Sequence, residues 1–113
     1  MFLIFDTETT GLPGSWSAPI TDSNNWPRCV QLAWQLHDLD GKLVNRGNYI
    51  IKPEGYSIPF NAEKVHGIST DRAMREGHDL KEVLDIFFAD VDRATYLSGH
   101  NIEFDINIMG AEY

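Results

Sequence analysis

Of 113 residues only Cys29 is a cysteine, so no disulfide framework can staple the chain, and a reducing compartment is expected. Cations are also scarce: nine Lys and Arg stand against 17 Asp and Glu, a formal net charge of −8. Nonspecific phosphate binding runs on Lys and Arg, so a surface that coats nucleic acid indiscriminately is excluded. A nucleic acid gripped at one end is not. No apolar run approaches the length of a membrane span, and no membrane partner is expected. Phe2-Leu3-Ile4-Phe5 runs straight into acids without a basic leader, so no signal peptide is read there and cytoplasmic location is the expectation. What is present, 42% hydrophobic residues in a chain of this length, is enough apolar mass for the core of one globular domain.

The most informative segment is Asp6-Thr7-Glu8, between that apolar run and Thr9-Thr10-Gly11-Leu12. Four apolar residues in a row read as a buried strand. Residues two apart on a strand point the same way, so Asp6 and Glu8 project together from its end. At about 6–7 Å and an effective dielectric near 20 they repel by roughly 2–3 kcal/mol. No cation stands nearby in sequence to offset this. A divalent ion would, and oxygen-only ligands suit Mg²⁺ or Mn²⁺. The same spacing recurs at Asp38-Leu39-Asp40, Asp90-Val91-Asp92 and Glu103-Phe104-Asp105, so spacing alone carries little. The strand in front and the Thr-Thr-Gly turn behind distinguish the first pair.

Residues 13–27, rich in Pro, Gly, Ser and Asn, read as a long loop, and Trp16 and Trp26 imply that it packs against something. Residues 29–36 read as a second strand, Asp40-Gly41 as a hairpin turn, and residues 43–51 as a third strand. Helical signals begin at Ala62. Asp79 has capping-box spacing to Glu82, and Leu80, Val83, Leu84, Phe87, Phe88 and Val91 follow on one face, with Phe87-Phe88 expected in the core. Residues 95–99 read as a short strand, after which His100-Asn101 open a helix carrying Ile102, Asp105, Ile108 and Met109. This order predicts a mixed α/β sheet with helices packed on it.

Three segments, in order, resemble the DEDD-type (DnaQ-like) 3′→5′ exonucleases, the family of the proofreading epsilon subunit of bacterial DNA polymerase III. Phe5-Asp6-Thr7-Glu8-Thr9-Thr10-Gly11-Leu12 is similar to the first motif. Val65-His66-Gly67-Ile68-Ser69 is similar to the segment after the third strand, and Gly99-His100-Asn101-Ile102-Glu103-Phe104-Asp105 to the second motif. The resemblance implies a ribonuclease H-like fold, with three antiparallel strands followed by helix-strand-helix. It also implies that two Mg²⁺ or Mn²⁺ ions, about 3.5–4 Å apart, hydrolyse phosphodiester bonds at the 3′ end of single-stranded DNA. By the same resemblance Asp6, Glu8 and Asp105 hold the metals. Thr9 and Thr10 receive the terminal nucleotide, Leu12 wedges against its base, and His66 lies beside it. Asn61 stands where some relatives carry an acid and joins the substrate-binding set.

The family's third motif, with the general base and a fourth acid, belongs downstream of Asp105. Only Glu112 follows as an acid, with no histidine. Residues 1–113 are therefore expected to be the N-terminal part of a single exonuclease domain, C-terminally incomplete and inactive alone. The motifs do not separate RNA from DNA as substrate. They leave open a noncatalytic module that binds a DNA polymerase subunit or a nucleic acid end.

Overall fold

The computed structural model describes residues 1–22, 25–99 and 102–113. Strands β1 (Phe2–Thr9), β2 (Cys29–His37) and β3 (Leu43–Ile50) are followed by helices α1 (Phe60–His66), α2 (Thr70–Glu76) and α3 (Leu80–Arg93). Strand β4 (Tyr96–Ser98) and helix α4 (Ile102–Glu112) complete the order. The sheet runs β3-β2-β1-β4, with β1–β2 and β2–β3 antiparallel and β1–β4 parallel. This is the mixed sheet expected from the sequence. The proposed opening of α4 at His100-Asn101 lies outside the described residues.

Alternation along β1 splits its side chains between two environments. Leu3, Phe5 and Thr7 are buried, whereas Ile4 is 42% exposed, Asp6 is exposed and Glu8 half-buried. Phe2–Phe5 is thus not a fully buried run: only its odd members enter the core. That core joins Leu3 and Phe5 to Leu32, Trp34 and Leu36 of β2, Val83, Leu84 and Phe87 of α3, and Ile108 and Met109 of α4. Phe5 and Trp34 each pack on Phe87, with ring centroids 5.3 and 5.2 Å away. Asp79 caps α3 as its spacing predicts, its side chain accepting from the Glu82 amide. Phe88 departs from the expected core stripe. It is 55% exposed and meets Tyr113 edge-on, because adjacent helical positions lie about 100° apart and only Phe87 faces the sheet.

A second cluster of Val30, Ile58, Ala62, Ile68 and Ala73 seats α1 and α2 against one end of the sheet. These are two short helices where only a general helical signal from Ala62 onward is legible in the chain. They part at Gly67, whose φ of 75° ends α1 in the left-handed region that glycine adopts most readily. The long loop is packed, as its tryptophans imply. Trp26 is buried and donates to the Pro19 carbonyl, while Gly14 and Ser15 are bonded to Asn25.

Candidate active site

The β1–β2 register shifts between Glu8 and Thr9, an irregularity of the kind that turns a strand end and re-aims its side chains. Beyond it the Thr10 amide donates to the Arg28 carbonyl, and the Arg28 amide donates to Thr10 Oγ1, each at 3.0 Å. Thr9 Oγ1 donates to the Gly11 carbonyl at 2.8 Å. The turn after the acid pair is therefore fixed by its own threonines.

This turn forms one wall of a cleft of about 550 Å³; α1 and Phe104 of α4 form the other. Glu8, Thr9, Thr10, Leu12, Asn61 and His66 all line it. Six of the residues expected at the site, drawn from segments about fifty residues apart, thus share one hollow. Leu12 and Val65 are 77% and 83% exposed, an apolar pair at its rim. No Lys or Arg is among its described lining residues. The Ile68 amide donates to His66 Nδ1 at 3.1 Å, so a neutral ring carries its proton on Nε2. That Nε2 is buried without a hydrogen-bond partner among the described residues.

Asp105 reaches the acid pair from α4, whose buried side chains Asp105, Ile108 and Met109 face the sheet. It is 2% exposed, and Thr7 Oγ1 donates to its Oδ1 at 2.7 Å. Its Oδ2 is buried without a hydrogen-bond partner among the described residues. Burial pushes the Asp105 carboxyl above the usual carboxylate range; the Thr7 hydroxyl pulls it back, and Asp6 and Glu8 add to the rise. Asp105 thus feels the charge of both other acids. Close approach of backbone makes this possible: a Cβ on Gly99 would stand 2.6 Å from the Phe5 carbonyl oxygen and 3.4 Å from Asp105 Oδ2.

The donor chemistry fits a hard divalent cation: oxygen ligands only, one of them buried without a partner among the described residues. No described cation forms an ion pair with Asp6 or Glu8. The groups do not make a finished shell, because no three His, Cys, Asp or Glu among the described residues gather closely enough to hold a metal. Asp6 borders a separate open hollow on the outer sheet face, shared with Ile4, Gln35 and Arg46, while Glu8 borders the cleft. Cys29 offers no alternative nucleophile. It is buried, its thiol is bonded to the Gln31 carbonyl, and burial pushes its pKa strongly upward.

Two features were passed over in the sequence. Thr7 stands between two outward acids, so strand alternation alone would have turned it inward toward α4. Arg28 and Glu112 had no such signal. Arg28 Nε donates to Glu112 Oε1 at 2.7 Å, 84 residues away, and its guanidinium lies over Tyr56. Glu112, the only acid after Asp105, is thus a tie between α4 and the Thr10 turn.

No family model and no curated protein matches the sequence. Solved structures do match the fold. Exonuclease I of E. coli in complex with a dT13 oligonucleotide superimposes with a TM-score of 0.74 at 20% identity, covering 96% of this chain and 22% of that one. The same enzyme with a dA16 oligonucleotide gives the same values. The moderately thermophilic exonuclease I of Methylocaldum szegediense gives 0.74 at 22% identity, covering 95% of this chain and 22% of that one. The chain spans about a fifth of the length of these enzymes, and over that span it has their mixed α/β, ribonuclease H-like fold.

Proposed function

We propose that this chain is the N-terminal part of a metal-dependent 3′→5′ exonuclease domain that removes nucleotides from single-stranded DNA ends in proofreading or repair. One observation carries the reading: Glu8, Thr9, Thr10, Leu12, Asn61 and His66 line a single cleft, beside a buried carboxylate on α4 with one oxygen unpartnered among the described residues. DNA is preferred to RNA as substrate because the enzymes of similar fold were crystallised with deoxyoligonucleotides.

In this reading the terminal nucleotide enters the cleft with its base between Leu12 and Val65. The His66 Nε2–H and the hydroxyls of Thr9 and Thr10 supply hydrogen bonds to its sugar and phosphate. Asp6, Glu8 and Asp105 would hold Mg²⁺ or Mn²⁺ at the scissile phosphate. When bound there, such ions would supply an activated water and offset charge on the phosphate and the leaving 3′ oxygen. Thr7 fixes one oxygen of Asp105 and leaves the other for the cation. The general base and fourth acid belong to a downstream segment, so residues 1–113 alone hydrolyse little. A DNA polymerase subunit is the partner that a proofreading role would require.

The test uses the longest natural form of the chain beside these 113 residues, with single strands labelled at the 3′ or the 5′ end, as DNA and as RNA. Mononucleotides released from the 3′ end of DNA by the long form alone are the expected result. Faster release from RNA would change the substrate. No release by either form, despite binding of the strand, would make the domain a noncatalytic end-binding module.

A further inference from the structure

Trp16 is unusual among the three tryptophans. Trp26 and Trp34 are 4% and 3% exposed, whereas Trp16 is 53% exposed, on a loop held firmly on both sides. Asn25 ties down Gly14 and Ser15, the buried Trp26 indole is bonded to Pro19, and Ile20 packs against Gly110 of α4. The Trp16 ring leans on Phe104 with centroids 5.4 Å apart and planes at 53°. Phe104 in turn lines the cleft. The aromatic surface therefore continues out of the cleft, over Phe104, onto an indole with a free face.

Electrostatics gives that face a task. The described lining of the cleft holds no Lys or Arg, and the chain carries a net charge of −8, so side-chain cations of the cleft do not supply the grip on a strand. Base stacking can, at about 1–3 kcal/mol per base and without sequence preference. Resting on the exonuclease reading above, we propose that Trp16 is a second stacking position. It receives the base next to the 3′-terminal nucleotide of a single strand and makes stacking, rather than phosphate contacts, the main source of affinity.

The experiment compares wild type, Trp16→Phe and Trp16→Ala in the longest natural form of the protein, with thermal unfolding as a check on folding. On short oligodeoxythymidylates Trp16→Ala raises KM by about 5- to 150-fold, the range that one stacked base corresponds to, with kcat little changed. Trp16→Phe recovers most of the loss. Inhibition by thymidine monophosphate, which fills only the cleft, is the same in all three. Affinity measured without turnover, in chelator, depends only weakly on salt. A parallel loss of mononucleotide inhibition would make Trp16 a structural support of the cleft and overturn the proposal, as would an unchanged KM. If wild type proves inactive on single strands, quenching of tryptophan fluorescence by the oligonucleotide still decides. Quenching in wild type that is lost in Trp16→Phe sustains the shelf and rejects the exonuclease; no quenching rejects the shelf itself.

Discussion

The two sides of β1 do different work with alternate residues of one strand. Leu3 and Phe5 lie in the core under α3 and α4, and their worth is hydrophobic burial and packing. Ile4 and Asp6 line an open hollow on the other side, and Glu8 opens onto the cleft. There the strand carries acids, which the core could not take in without a partner. Thr7 stands between the two regimes: it faces inward from between the two acids and donates to the buried Asp105 carboxylate. The strand thus separates the residues that build the core from the acids of the proposed site, with Thr7 bonded to Asp105 between them.

Substitutions on each side should break this division in opposite ways. Asp6→Ala should lower nucleotide release by the full-length protein roughly 10²–10³-fold or more, as loss of one electrostatic stabiliser does, while its unfolding midpoint stays close to wild type. A large fall in stability would show that Asp6 belongs to the structural side after all. Phe5→Ala, one residue earlier, should instead cost about 3–5 kcal/mol of stability in urea unfolding, because it empties the space between β1 and Phe87. A cost below about 1 kcal/mol would mean that the inner face is not the core described.

The tie at the other end of α4 should have a smaller effect. Arg28→Met leaves Glu112, whose side chain is 4% exposed, buried with neither oxygen partnered. A loss of about 1–3 kcal/mol is expected. Arg28→Met combined with Glu112→Gln should recover part of it; no recovery would place the effect in Arg28 packing on Tyr56 instead.

The smallest effect is one of sign. The Asp105 carboxyl titrates higher folded than unfolded, chiefly through burial, so its contribution to stability is full below the unfolded pKa and is lost as pH rises through the folded one. In chelator, Asp105→Asn should therefore match wild type near pH 4 and become the more stable of the two toward pH 7. A gap that narrows with rising pH would contradict the strain assigned to the buried carboxylate.

Much of this could be read from the sequence because it rests on local signals. The strand order followed from apolar runs and the Asp40-Gly41 turn, α3 from its cap and period, and the cleft residues from motifs on three segments. What escaped reading depends on contacts far apart in the chain. That Phe87 and not Phe88 meets the sheet is decided by the angle at which α3 lands. That Ile4 is exposed depends on what covers each face, which an apolar run cannot tell. Arg28 finds Glu112 only once the loop after β1 and the last turn of α4 are both in position. Asp6 and Glu8 come close enough to influence Asp105 without the three closing into a metal shell among the described residues, and spacing along a strand could not have revealed that shortfall.

The most direct test of the central claim, that acids from both sides of β1 act as one cation site, is calorimetric titration of Mn²⁺ into the longest natural form. Wild type, Asp6→Ala and Asp105→Asn would be compared at pH 7. Binding by wild type that weakens at least tenfold in each variant is the predicted result. Equal affinity in Asp105→Asn would contradict it, leaving Asp105 as a buried partner of Thr7 and nothing more.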